Sequence, residues 1–192
     1  MELVVNDYEQ IRAKLKIQKN LIVVTSENDH LLHRFVNVIT ANPEQCYVLG
    51  EKEHLISLAQ SKVDYIDEEF AKTTLTIEEY LNFFGLASGI FSDMYMTEIK
   101  EFIEKYGLET YREVPICELD ERSKLLVRLF ITTKKNVRFI LFNNVGGVFS
   151  DKDLYGIIRN FKLFCREYDK ICIIVTHTTE LINRYQGEIY YI

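Results

Sequence analysis

The residues best placed to do chemistry stand just after three apolar runs. Ser26, Glu27, Asn28, Asp29 and His30 follow Leu21–Val24, Asn143 and Asn144 follow Phe139–Phe142, and Thr176 and His177 follow Ile171–Val175. Hydroxyls and amides at a helix start can hold an anion, and a histidine can move a proton near neutral pH. Plainer roles compete with these: Asn28 or Asp29 as a helix cap, Asn143 and Asn144 as strand-end hydrogen bonders, Gly146-Gly147 as a turn, and His177 as a satisfied strand-end histidine. His30 and His33 are three apart and could share a helix face, but no carboxylate or thiol cluster stands beside them, so no metal site is expected.

Those residues need elements to position them. The three runs are continuously apolar and rich in β-branched residues, the pattern of strands covered on both faces in a parallel sheet. Cys46–Leu49 and Val63–Ile66 are weaker strand candidates, and Glu188–Ile192 is a candidate terminal edge strand. Helical periodicity separates them: Leu31, Phe35, Val36 and Ile39 share one face, and Leu154, Ile158, Phe161, Cys165 and Tyr168 another. Thr76 with Glu79, and Ser150 with Asp153, stand at capping-box spacing and predict helix starts near Ile77 and Asp151. Tyr95, Ile99, Phe102, Ile103 and Tyr106 mark a further helix, and another runs from about Leu119 to Thr133. A helical lobe at about 74–120, inserted in a single domain spanning 1–192, is therefore expected.

Composition narrows the classes. Hydrophobic residues make up 47% and charged residues 27%, an ordinary globular balance. The net charge of −6, without long basic runs, argues against nucleic acid as a partner. Cys46, Cys117, Cys165 and Cys172 form no C-x-x-C pair and are expected to be reduced. Met1–Asn20 lacks the apolar core of a signal peptide, and no run approaches the ~20 residues that span a bilayer.

In open α/β sheets, ligands bind beyond the carboxyl ends of the strands, where helix N-termini present free N–H groups. A phosphate site there needs a glycine-rich loop with lysine and Ser/Thr, and a strand-end carboxylate for magnesium. This chain has Ser26-Glu27-Asn28-Asp29-His30-Leu31-Leu32-His33-Arg34 and the neutral pair Asn143-Asn144 instead. The element order predicts a phosphate cradle that the side chains contradict.

From about Leu21 to Ile192 the order of segments resembles the nucleotide-binding subunits of ATP-binding-cassette (ABC) transporters. Ser26–Thr40 aligns with their G-x-N-G-x-G-K-S-T-L-L-R without a gap. Ser26, Asp29 and Leu31 then occupy glycine positions and Asn28 is retained. Leu32 stands for the phosphate lysine and His33 for the magnesium hydroxyl, and Arg34 ends the phosphate-loop positions. Leu75–Leu81 resembles the L-T-V-x-E-N-L that opens the helical subdomain, with Glu68 nearest to the Q-loop glutamine. Leu119–Ser123 keeps only the leucine of L-S-G-G-Q. Asn143 and Asn144 stand at the strand-end Asp and catalytic Glu positions, and His177 matches the switch histidine.

The resemblance implies a three-layer α/β domain of P-loop-NTPase type with a mostly parallel sheet and an inserted helical lobe. It implies a cytoplasmic location, peripheral at the inner face of the membrane, and a transmembrane permease subunit as partner. An intact cassette ATPase or a homodimer mate is the further partner. The substitutions weigh against hydrolysis. A phosphate ammonium contact is worth about 1.5 to 3 kcal/mol, and each misplaced loop glycine costs about 1 to 2 kcal/mol. Micromolar to millimolar binding amounts to only about −8 to −4 kcal/mol. Asn144 cannot act as a general base toward water. No cofactor is expected, with at most weak ATP–magnesium binding, and the chain is expected to be a catalytically inactive accessory or regulatory subunit of an export or resistance transporter. The alternatives are a divergent but active transport ATPase and a free-standing scaffold on the same fold. Phe83, Phe84, Phe91, Met94 and Met96 are either core or a docking surface for the membrane subunit.

Overall fold

The computed structural model describes residues 2–7, 11–16, 18, 20–41, 46–49, 55–57, 63–66, 72–147, 149–177 and 188–192. The chain forms two compact units, one of Met1–Ile66 with Asn136–Ile192 and one of Asp67–Lys135. The second unit extends beyond the 74–120 expected for the helical lobe.

The first unit is built on a parallel sheet. Its strands are β3 (Leu21–Thr25), β6 (Val63–Ile66), β7 (Phe139–Asn143), β8 (Ile171–Val175) and β9 (Glu188–Tyr191), in the order β6-β7-β8-β3-β9. Every described pairing in it is parallel: Val63 stands opposite Phe139, Phe139 opposite Ile171, Leu21 opposite Cys172 and Ile22 opposite Glu188. All five residues of β3 and of β8 are buried, which is why Leu21–Val24 and Ile171–Val175 run apolar instead of alternating. Five strand candidates, the three apolar runs with Val63–Ile66 and Glu188–Ile192, thus take the places the sequence predicts.

Cys46–Leu49 goes elsewhere. As β4 it joins a separate antiparallel sheet with β1 (Glu2–Asp7), β2 (Ile11–Lys16) and β5 (Leu55–Ser57), in the order β2-β1-β4-β5. The N-terminal hairpin was not anticipated, although its period of two is written plainly. Leu3, Val5, Ala13 and Leu15 are buried, while Lys14 and Lys16 are exposed. Glu2 pairs with Lys16 and Val5 with Ala13, which keeps the apolar set on one face.

Helix α1 (Asp29–Ala41) buries Leu32, Phe35, Val36, Val38 and Ile39. They join Leu3, Val5, Ala13 and Leu15 of the antiparallel sheet and Ile22, Val24, Leu141, Ile173 and Val175 of the parallel sheet in one core cluster. The opposite face of the parallel sheet is covered by a second helix, Asp151–Glu167, whose Phe161 ring lies 5.4 Å from that of Phe142. The three-layer α/β arrangement follows from these two coverings. Cys165 and Cys172 sit fully buried with free thiols. Burial first, and then a hydrogen bond with Cys165, push the Cys172 thiol well above its ordinary value, so it stays protonated and inert.

The second unit is helical. In chain order its helices are α2 (Ile77–Ala87), α3 (Asp93–Tyr106) and α4 (Glu121–Lys134), and the second helix of the first unit, Asp151–Glu167, is α5. The expected capping box at α2 is complete: Glu79 N–H donates to Thr76 Oγ1 at 3.4 Å, and Thr76 N–H donates to Glu79 Oε2 at 2.9 Å. Ser92 caps α3, and Gly107, at φ 68°, ends it in the left-handed conformation that glycine adopts without a Cβ penalty. Ile77, Leu81, Tyr95, Ile99, Phe102, Ile103, Leu126 and Phe130 form the core of this unit.

Candidate functional site

The crest of the parallel sheet gathers the residues that follow β3, β7 and β8. Asn144 N–H donates to the Val175 carbonyl at 2.8 Å, and Thr176 N–H to the Val24 carbonyl at 3.1 Å, so the three connections are stitched side by side. His177 Nδ1 reaches Asp29 Oδ1 at 3.9 Å, a loose contact between two exposed groups. Gly147, at φ 67°, lies beneath the same imidazole: a Cβ built there would sit 3.6 Å from His177 Cε1. Ser26, Asn28, Asp29, Asn143, Asn144 and His177 are therefore neighbours at the crest, as the sequence predicts.

Their hydrogen bonds, however, turn inward. A phosphate loop spaces Gly-x-x-x-x-Gly-Lys between strand and helix so that successive N–H groups wrap one phosphate. Here β3 ends at Thr25 and α1 begins at Asp29, leaving only Ser26, Glu27 and Asn28 to make the connection. Asn28 N–H donates to Ser26 Oγ at 3.1 Å, and His30 N–H to Asn28 Oδ1 at 3.0 Å. The Asn28 carbonyl accepts from Leu31 N–H at 3.0 Å and Leu32 N–H at 3.3 Å. Four N–H groups at this helix start already have partners within the chain, and Asn28 is its N-cap.

Side chains at the remaining positions follow suit. Leu32, which the sequence resemblance sets against the phosphate lysine, is wholly buried in the core, while His33 is exposed and Arg34 half-buried on the helix. Asn144 is 1% exposed, and every polar atom of its amide is engaged. Its Oδ1 accepts from Phe149 N–H at 3.0 Å, and its Nδ2 donates to the Phe149 carbonyl and to Thr176 Oγ1, each at 3.3 Å. Asn143 donates through Nδ2 to the Tyr65 hydroxyl at 3.0 Å and accepts from Val145 N–H at 3.1 Å. Together the two asparagines tie down the turn that Gly147 N–H closes onto the Asn144 carbonyl at 3.1 Å. Sequence reasoning named both asparagines but missed Tyr65, Phe149 and Thr176 as their partners. No local signal marks Tyr65 or Thr176, whose bonds span 78 and 32 residues, whereas Phe149 stands only five residues from Asn144.

The second unit repeats the theme at α4. Asp120 fills that helix's N-terminus with its own carboxylate, accepting from Ser123 N–H at 3.0 Å and from Ser123 Oγ at 2.8 Å. Glu68 lies outside the described residues. Of the aromatic and methionine residues left open between core and surface, Phe84 and Met96 pack against the unit's core, whereas Phe83 (63% exposed), Phe91 and Met94 (73%) face solvent, joined by Leu86 (63%). Among the described residues no group of three His, Cys, Asp or Glu side chains is placed to hold a metal, and no helix is long and apolar enough to cross a membrane.

No protein-family model and no curated protein sequence matches this chain. Solved structures do. A subunit of Clostridium perfringens described as cbiO1, part of the ABC transporter complex cbiONQ, superposes with a TM-score of 0.75 over 98% of this chain and 83% of its own, at 11% identity. The chain has the fold of ABC-transporter ATP-binding cassettes. A putative ABC transporter ATP-binding protein of Pyrococcus furiosus matches with a TM-score of 0.63 over 93% of this chain and 92% of its own, at 15% identity. The bacterial ABC transporter cassette MJ0796, described as dimeric, matches with a TM-score of 0.64 over 100% and 94%, at 16% identity. The cassette-like order of segments noted in the sequence thus corresponds to a cassette-like fold, while identities this low speak to architecture alone.

Proposed function

We propose that this chain is a catalytically inactive accessory or regulatory subunit of a membrane transport complex of export or resistance type, acting by binding and not by hydrolysis. The observation that carries the reading is the sealed start of α1, where four backbone N–H groups are spent on Ser26 and Asn28 and the connection is three residues long. ATP with magnesium does not fit these residues. Leu32 offers no ammonium, and Glu27 and Asp29 place like charge beside the phosphates. Asn144 has no free atom with which to hold or activate a water.

The same reading gives the helical unit the contact role. Phe83, Leu86, Phe91 and Met94 lie within twelve residues of sequence and stay exposed on α2, on α3 and in the turn between them, an apolar surface of the kind that marks a protein contact. A transmembrane permease subunit is the partner this reading assigns to it, with an intact cassette ATPase or a second copy of the chain as the pairing mate and a cytoplasmic, membrane-peripheral location through those partners. The relatives in fold are described as part of a transporter complex and as a dimeric cassette, which supports such company.

Isothermal titration of the purified chain with ATP and magnesium tests the proposal, alone and with candidate partner subunits present. The expected result is no saturable heat into the millimolar range for the chain alone, and no heat beyond the partner subunits' own when the chain is added to them. Saturable micromolar binding, or ATPase activity abolished by His177→Ala, overturns it in favour of a divergent active transport ATPase.

A further inference from the structure

The outer face of α5 has no part in the crest or in the helical unit, and it carries an unusual charge distribution. The chain has 29 acidic and 23 basic residues, yet 154–166 contains no acid and three cations. Those cations, Arg159, Lys162 and Arg166, are exposed and recur at i, i+3 and i+7, on the side opposite the buried Leu154, Ile157, Ile158, Phe161, Phe164 and Cys165. Tyr155 (54% exposed) and Leu163 (60%) flank them. The acids of the helix stand only in its first turn, Asp151 and Asp153, and at its last residue, Glu167.

We propose that this face is a contact for an anionic bilayer surface. From Tyr155 to Arg166 the row runs about 17 Å along the helix axis, a convex ridge with a line of cations on it. A ridge of this shape meets a planar, deformable surface along its length, whereas a protein partner would have to supply a matching groove. Gly156 is exposed between Tyr155 and Arg159, with nothing within 4 Å of where a Cβ would stand, so a flat surface can approach the backbone there. Guanidinium groups bind lipid phosphates bidentately, and a tyrosine settles at headgroup depth. Repulsion from the net charge of −6 is screened beyond about 8 Å at physiological salt, which leaves the local row to decide the sign of the interaction.

The inference does not depend on the transport reading, and protein-free vesicles keep the two apart. The full chain is sedimented with vesicles of phosphatidylcholine alone and of phosphatidylcholine with about one third phosphatidylglycerol. Binding is expected only to the anionic vesicles and is expected to weaken as salt is raised. Each cation near such a surface is worth about fivefold in partition, so the Arg159→Gln, Arg166→Gln double variant should bind about 25-fold more weakly. The Arg159→Lys, Arg166→Lys pair should retain binding. All substituted positions are exposed, and matching thermal midpoints will show that the variants fold. Three results overturn the proposal: no binding to anionic vesicles, equal binding to neutral ones, or partition unchanged in the glutamine variant. A fourth does so by redirecting the site to an acidic polypeptide, namely tighter and mutation-sensitive binding of soluble polyglutamate at matched charge.

Discussion

The crest of the parallel sheet and the outer surface of the helical unit expose opposite kinds of side chain. At the crest, solvent meets Glu27, Asn28, Asp29, His30 and His177, while the groups beneath them, Ser26, Asn143, Asn144 and Thr176, spend their hydrogen bonds on one another and on the backbone. On the helical unit, solvent meets Phe83, Leu86, Phe91 and Met94, whereas the polar residues Thr76, Ser92 and Asp120 are occupied at helix starts. One region has polar groups with no vacancy, and the other has apolar groups with no cover. Free energy for recognition is therefore available on the helical unit, where water can be displaced from large side chains, and scarce at the crest, where a ligand must break existing bonds to make its own.

The harshest test of that contrast is Asn144→Asp, which is isosteric and adds a carboxylate next to the position where a cassette carries its strand-end acid. At 1% exposure the new oxygen faces the Phe149 carbonyl and Thr176 in place of an N–H donor. An uncompensated buried charge of this kind should cost about 3 to 5 kcal/mol at pH 8, read from urea unfolding. Burial raises the folded-state pKa of such an acid above its unfolded value. The deficit should therefore be smallest below the unfolded pKa and grow as pH rises through the folded one. A variant as stable as the parent at pH 8 would mean the crest has room for charge after all, and would break the contrast at its strongest point.

Next in size is Gly85→Ala in the helical unit. A Cβ at Gly85 would stand 2.3 Å from Tyr95 Cε1, a ring held in the core with its hydroxyl donating to the Leu81 carbonyl at 2.7 Å. Overpacking here should cost about 1 to 3 kcal/mol in thermal or chemical unfolding. Tyr95→Phe should cost about 1 kcal/mol through the lost hydrogen bond and should remove an alkaline sensitivity. Burial, and then the neighbouring Glu98 carboxylate, push the Tyr95 phenol up from 10.0 to about 12. Its contribution is fully present below 10.0 and is lost as pH rises through about 12. A parent that unfolds no earlier at alkaline pH than the phenylalanine variant would show that the phenol titrates in an open environment.

How much of this was legible depends on the range of the forces involved. The buried strands declared themselves through unbroken apolar runs, and α2 through the Thr76–Glu79 pair, because in each the signal and its partner lie within four residues. The N-terminal hairpin was equally local, with Leu3 and Val5 facing Ala13 and Leu15. Unbroken apolar runs do not reveal it, because Leu3-Val4-Val5 is only three residues long and Arg12 and Lys14 interrupt the apolar residues of β2. At the site, residue types alone showed that lysine and glycine were missing after β3. They could not show that α1 begins at Asp29 or that the Asn28 carbonyl takes two N–H groups. The positions of Asn143 and Asn144 were readable, but their bonds to Tyr65 and Thr176 reach across 78 and 32 residues and come only from the assembled sheet.

Asn28→Ala extends the comparison to helix starts. Removing the cap frees the His30 N–H and should cost about 1 kcal/mol, as should Thr76→Ala at α2. If the crest holds no phosphate, the Asn28 variant should lose stability without any change in response to ATP. A change in nucleotide response from this single residue would reveal a working anion site where the hydrogen bonds show a closed one.

The smallest effect on stability and the sharpest on function is expected from Leu86→Ser with Met94→Ser. Both side chains are exposed, at 63% and 73%, so their removal takes little from the folded core and the unfolding free energy should change by no more than about 0.5 kcal/mol per site. A contact centred on Phe83, Leu86, Phe91 and Met94 draws its energy from burying those same atoms. Two serines there should sharply reduce co-purification with a transmembrane subunit while leaving vesicle binding by the α5 face unchanged. If recovery of the subunit is undiminished, the apolar surface is not the contact. The crest, polar and internally satisfied as it is, would then have to be reconsidered as the place where partners meet this chain.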